Sequence, residues 1–279
     1  MTSIENPTDT SLLVIVDPKN KENPSEQYIA AFIMFTVGTC GLIMNISAIR
    51  IIWRSKHLHN CFGYLLLLHA SAEALVLCSF IFWAVPTTLL DSDLSKTTLG
   101  LKIGQLLLAL YYATLYAQLF NAINRFFAIA SPFSYRRWFS KKNTKFILGS
   151  VVLLSLLHGL LYFFPGCNFY YDGNQFGWIY DDSPCYEIMS FYVDFIIGCS
   201  IMGVTMFTDG CTLCLIIRHR LFSGKINKEV KFFIQNFTTS ILYTVLLIIV
   251  EFVSSFNNGK WYIFWTVTFT WELCHTIDG

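Results

Sequence analysis

Six side chains hold most of the chemical information in this sequence: Leu107, Tyr111, Thr114, Gln118, Asn121 and Arg125. They follow one another in steps of four, three, four, three and four, the spacing that stacks residues on one face of an α-helix. That face is apolar at one end, grows polar along its length and finishes on an arginine. The stretch around it is long and apolar. A guanidinium at the foot of a lipid-embedded helix is costly unless it faces a protein interior, so Arg125 reads as a functional group. Thr114, Gln118 and Asn121 also suit plain hydrogen bonding between helices. Of the flanking residues, Asn124 carries no charge to neutralise Arg125, and Phe126 is apolar.

The elements that position this face follow from composition. Of 279 residues, 54% are hydrophobic, 17% aromatic and 13% charged. A soluble domain of this size cannot hide so much apolar surface, so lipid must solvate much of it. A span needs about 20 apolar residues. That window selects seven segments: 28–53, 62–90, 99–130, 146–164, 187–217, 232–253 and 261–278. The last two are parted only by Ser254 to Lys260. The expected fold is all-α, a seven-helix transmembrane bundle over 28–279 behind a short extracellular segment, 1–27. With the N-terminus outside, the inner loops hold three, then six, then five basic residues, fourteen of the nineteen Lys and Arg. Positive loops favour the cytoplasm, so the C-terminus is expected inside. The stretch SLLVIV is too short for a cleaved signal, and the first helix is expected to insert as its own.

Among nine cysteines, seven lie within apolar stretches or at an inner helix end and read as small buried thiols. Cys211 and Cys214 form a CxxC without a second pair, poor evidence for metal. The other two, Cys167 and Cys185, bracket the second outer loop in an oxidising compartment. Their disulfide would close a ring of about 19 residues, worth about 3 kcal/mol on the chain-entropy view.

Polar residues inside the other helices are the next candidates. Asn45 ends GLIMN in helix one, Glu73 lies in mid-membrane in helix two, and Asp278 lies near the inner end of helix seven. Asp194 and Glu251 fall near the outer ends of helices five and six, where they could touch a ligand or reach water. Asp209 sits lower in helix five, and Glu272 midway along helix seven. Glu229, before helix six, is the single acid of the inner loops. It is the expected closed-state partner of Arg125, with a nearby polar group such as Asp209 as the other option. His69 and His158 read as packing residues.

Asn124-Arg125-Phe126, followed by Ala-Ile and Ser131-Pro132, resembles the Asp-Arg-Tyr region of seven-helix G-protein-coupled receptors. With GCNFYYDGNQFGWIYDDSPC, FYVDF, KFFIQ and WELCHTIDG, the segment AINRFFAIASPFSYRRWFS resembles nematode serpentine receptors of class x. The likeness runs from helix one to helix seven. It implies a plasma-membrane chemoreceptor of sensory neurons and their cilia. Such a receptor would bind an external small molecule or peptide and signal to a heterotrimeric G protein. It also implies that Asn45, Glu73 and Asp278 meet in a polar core; the plainer alternative is a buried, neutral Glu73 bonded to local backbone. Asn124-Arg125-Phe126 and Glu229 become the activation switch. Leu107, Tyr111, Thr114, Asp194 and Glu251 become the candidate ligand pocket.

The sequence also departs from rhodopsin-like receptors. Gly100 stands where a cysteine would top helix three, helix six lacks a Cys-Trp-x-Pro kink, and the sequence closes on Asp278-Gly279 with no eighth helix or tail. Leu107 occupies the place of the aspartate of amine receptors, which disfavours a small cationic amine. The second reading is a proton- or ion-coupled transporter, since intramembrane carboxylates serve that role too; neither internal repeats nor paired broken helices are visible. No catalytic set, such as HExxH or a serine–histidine pair, is present, so no enzyme is expected. Neither a metal, a cofactor nor a nucleic-acid partner is expected.

Overall fold

The structure, a computed structural model, describes residues 24–90, 93–220 and 228–278. The side chains of 93, 219–220, 228–236 and 255 lie outside that description. Helix α1 runs Pro24–Arg54, opening four residues before the expected segment because Pro24 and Glu26 suit a first turn. Helix α2, Cys61–Leu90, starts at Asn60, whose side chain accepts from the Gly63 amide at 3.1 Å. Helix α3 is Thr98–Ala130, and α4 is Lys141–Phe163 after a short loop helix, Pro132–Trp138. Helix α5 opens at Cys185–Glu187 and continues through Ile188–Ile197 to Gly198–Arg220. Helix α6 covers Lys228–Ile248 and Ile249–Val253, and α7 covers Lys260–Ile263, Phe264–Phe269 and Thr270–Asp278.

Helices α1 to α5 are each long and apolar enough to cross a membrane. The apolar part of α6, Phe237–Val253, is shorter. Helix α7 is more polar, carrying Thr268, Glu272, His275, Thr276 and Asp278. In α3, 67% of the apolar window is buried, against 33% in α1 and 28% in α4, so α3 is the central helix. The outer helices reverse the soluble pattern. On α1 the buried stripe is Ala30, Ala31, Met34, Gly38, Gly41 and Asn45, while Phe32, Ile43 and Ile51 are exposed. Small residues let backbones approach, and the bulky apolar ones face outward, as packing in lipid requires. A Cβ on Gly41 would lie 2.5 Å from the Thr276 hydroxyl, and one on Gly38 would lie 2.7 Å from a Glu272 carboxylate oxygen. These two glycines therefore bring α7 against α1.

The fold is helical as expected, with one addition among the described residues, a β-hairpin between α4 and α5. Strands β1, Phe169–Asp172, and β2, Gly177–Tyr180, pair antiparallel with Phe169 opposite Tyr180 and Asp172 opposite Gly177. The Asp172 carboxylate accepts the Asn174 amide at 2.9 Å, which makes the turn, and the strands are aromatic enough to bury. Tyr171, Phe176 and Trp178 are buried beneath the hairpin, in the same core as Phe80, Tyr112 and Trp271. The Tyr171 hydroxyl meets Thr88 at 2.7 Å, and Thr268 donates to the Phe176 carbonyl at 2.7 Å, tying the hairpin to α2 and α7. Cys167 and Cys185 are disulfide-bonded, with Cα atoms 5.1 Å apart, which anchors the hairpin to the start of α5.

Candidate functional site

Helix α3 sets the geometry of three connected places. All six residues of its patterned face are buried, from Leu107 and Thr114 at 0% exposed to Gln118 and Arg125 at 6%. The face does line the bundle interior, because a 3.6-residue period keeps it on one side of the rod.

At one end lies a cavity of about 680 Å³ beneath the hairpin. Of the five expected pocket residues, Tyr111, Asp194 and Glu251 line it. Leu107 and Thr114 do not. Leu107 is turned into the apolar core, and its neighbour Leu108 lines the cavity instead, since one residue along a helix is a rotation of about 100°. The Thr114 hydroxyl donates back to the Tyr111 carbonyl at 2.7 Å. Asp194 accepts from the Tyr112 hydroxyl at 2.6 Å and from Tyr162. Tyr112 in turn stacks on His158, with centroids 3.5 Å apart, and Tyr116 meets His158 Nδ1 at 3.1 Å. Ser190, one turn before Asp194, donates to Glu251 at 3.3 Å. Asp194 and Glu251 both sit in π-helical segments, Ile188–Ile197 and Ile249–Val253, a distortion frequent at functional sites.

Trp271 lines the cavity and packs edge-on against Tyr111, with centroids 5.7 Å apart, and against Trp178 at 6.2 Å. One turn further along α7 is His275, 6.0 Å from Trp271 between rings. Its Nδ1 bonds Glu73 Oε2, and Tyr243 of α6 donates to Glu73 Oε1 at 2.8 Å. His69, one turn before Glu73, lies 3.7 Å from Glu73 Oε1 and 2.6 Å from Asp278 Oδ2. Asn45 donates to the His275 carbonyl at 3.3 Å. Asn45, Glu73 and Asp278 are thus brought into one neighbourhood, but through histidines rather than by touching. His69 is a bridge between two carboxylates, which corrects its reading as a packing residue. The i, i+4 spacing of His69 and Glu73, and of Trp271 and His275, was the available signal. Tyr243 gave none. Glu272 is fully buried, and neither carboxylate oxygen has a partner among the described residues.

At the opposite end, Arg125 Nη2 donates to both oxygens of Asp209, at 2.7 and 2.8 Å, and Nε adds a third bond at 3.2 Å. The two side chains are 6% and 1% exposed. Of the two partners considered for Arg125, the structure joins it to Asp209; the Glu229 side chain lies outside the described residues. Asn124 is buried beside it, and Phe126 packs edge-on against Phe127. One histidine and two carboxylates of the middle zone, His69, Glu73 and Asp278, offer ligand atoms within 4.8 Å of one another. The hydrogen bond between His69 and Asp278, with His69 one turn before Glu73, already accounts for that closeness.

Comparison with known proteins identifies a family. Residues 35–279 match the family model described as serpentine type 7TM GPCR chemoreceptor Srx. Serpentine receptor class X 45 of Caenorhabditis elegans is 24% identical over 286 aligned positions, covering 92% of this chain and 79% of the relative.

Proposed function

The chain belongs to the serpentine type 7TM GPCR chemoreceptor family Srx, and from that premise we propose how this GPCR-type chemoreceptor works. It crosses the plasma membrane of a sensory neuron seven times, N-terminus outside and C-terminus inside. An external chemical enters the cavity beneath the hairpin, and the Arg125 end engages a heterotrimeric G protein. The bias of basic residues towards the loops on the Arg125 side supports this orientation.

The observation that best supports the reading is the pairing of two sites on one rigid element. Tyr111 faces the cavity and Arg125 is held by Asp209, fourteen residues apart on α3 and so about 21 Å along its axis. Between them, Trp271, His275, Glu73 and Tyr243 join α7, α2 and α6 in one packed and hydrogen-bonded set. A ligand that touches Trp271 differently in two arrangements of the bundle shifts their populations, and only such differential contact can do so. Freed from Asp209, Arg125 becomes a donor for the incoming G-protein segment.

The test is nucleotide exchange on a G protein in membranes containing the chain, with Arg125→Ala at matched surface density. Loss of exchange with ligand binding retained is the expected result. Normal coupling by that variant would overturn the switch assigned to Arg125.

A further inference from the structure

The cavity wall is strongly one-sided in charge. Asp172, Asp181, Asp182, Asp194 and Glu251 line it, and Lys96 is its single basic residue among those described. Between the acids the wall is aromatic, with Tyr111, Phe169, Tyr170, Trp178 and Trp271. Rings of this kind attract a cation through their negative faces, and more strongly where water is thinned. Two buried polar atoms on the wall, the Tyr111 hydroxyl and Trp178 Nε1, have no hydrogen-bond partner among the described residues. Tyr111 is 4% exposed and Trp178 3%, so both leave bonding capacity for something inside the cavity.

Resting on the receptor reading above, we propose that the ligand class is an organic ammonium carrying an aromatic or apolar body. Its charge sits between Asp194 and Glu251, and its body lies against Tyr111, Trp178 and Trp271. A volume of about 680 Å³ falls in the range of small-molecule sites. The absence of an acid at Leu107 argued against amines from the sequence. The acids instead enter from α5 and α6, whose π-helical segments carry Asp194 and Glu251. Asp194 is held in place by the hydroxyls of Tyr112 and Tyr162, and Glu251 by Ser190, so two carboxylates are kept on the wall with no arginine or lysine between them. A cation relieves that concentration of negative charge; a neutral molecule does not, and an anion worsens it.

Three probes with the same ring separate these cases: phenethylammonium, 2-phenylethanol and phenylacetate. Ligand-observed NMR on the purified full chain in nanodiscs, with empty nanodiscs subtracted, gives a dissociation constant for each. Phenethylammonium should bind at least tenfold more tightly than 2-phenylethanol, with phenylacetate weakest. Asp194→Asn and Glu251→Gln should each weaken the ammonium about tenfold and leave 2-phenylethanol within twofold, which also reports that the variant is folded. No binding of phenethylammonium to the unmodified chain, or equal binding of the neutral or anionic probe, overturns the proposal whatever the variants do. So does an ammonium preference that survives in the double variant. Binding is read without a G protein, so failure here leaves the coupling role of Arg125 standing, and failure of Arg125→Ala to abolish coupling leaves this inference standing.

Discussion

Replacing Asp209 by asparagine probes the inner end of the bundle with the least disturbance. The side chain keeps its shape, and one oxygen can still accept from Arg125, but the charge is lost and the second oxygen becomes a donor. In the native pair three hydrogen bonds of 2.7, 2.8 and 3.2 Å join two nearly unexposed side chains. A hydrogen bond to a charged group is worth about 1.5–3 kcal/mol, and removing one partner of a buried pair costs about 3–5 kcal/mol. The asparagine retains part of the contact, so about 2 kcal/mol is a fair estimate of the loss from the closed state. That is about a thirtyfold shift in a two-state equilibrium. A receptor resting about 1% active would then sit at about 20% active without ligand. Ligand-free nucleotide exchange on a G protein, at matched surface density, should rise by more than tenfold, and Asp209→Ala should raise it at least as far. An unchanged baseline in both variants, with Arg125→Ala still uncoupled, would refute the idea that this pair holds the closed state. Exchanging the charges, Arg125→Asp with Asp209→Arg, should restore expression better than either single change, because the buried charges are again paired.

Three further outcomes follow from the same geometry. Glu73→Gln keeps the Tyr243 contact but replaces the carboxylate between His69 and His275 by an amide that cannot take a charge, so surface expression should persist while basal activity and ligand response change in a dose–response assay; a variant indistinguishable from wild type would make Glu73 structural only. Cys185→Ser frees the hairpin from the start of α5, with an expected stability loss of about 3 kcal/mol, visible as reduced surface expression. Mass spectrometry of unreduced native protein should recover the linked Cys167 and Cys185 peptides, and free thiols at both would dismiss the bridge. Gly41→Val should lower the thermal midpoint of purified protein, because its side chain would overlap Thr276 and overpacking of this kind costs about 1–3 kcal/mol; an unchanged midpoint would mean that α1 and α7 are less tightly apposed than described.

What the sequence determined alone is local. Helical period placed Leu107, Tyr111, Thr114, Gln118, Asn121 and Arg125 on one face, and the cost of its polar groups in lipid pointed that face inward, where all six are buried. Apolar length marked seven segments, of which those in α1 to α5 form helices long and apolar enough to cross a membrane, and compartment singled out Cys167 and Cys185, because both signals are read from local sequence. What only the tertiary structure decided is the set of pairings between distant rods. Asp209 reaches Arg125 across 84 residues, and Glu73 is reached by Tyr243 across 170 and by His275 across 202. Each depends on how two helices are rotated and shifted against one another, and the hydrogen-bonding requirement of a buried acid names no particular donor. The same limit explains why Leu108 rather than Leu107 meets the cavity. It also explains why the ligand acids come from α5 and α6. Periodicity gives the spacing of a face, whereas its rotation about the helix axis is set by packing, and in α5, α6 and α7 the π-helical turns change that phase before the cavity is reached.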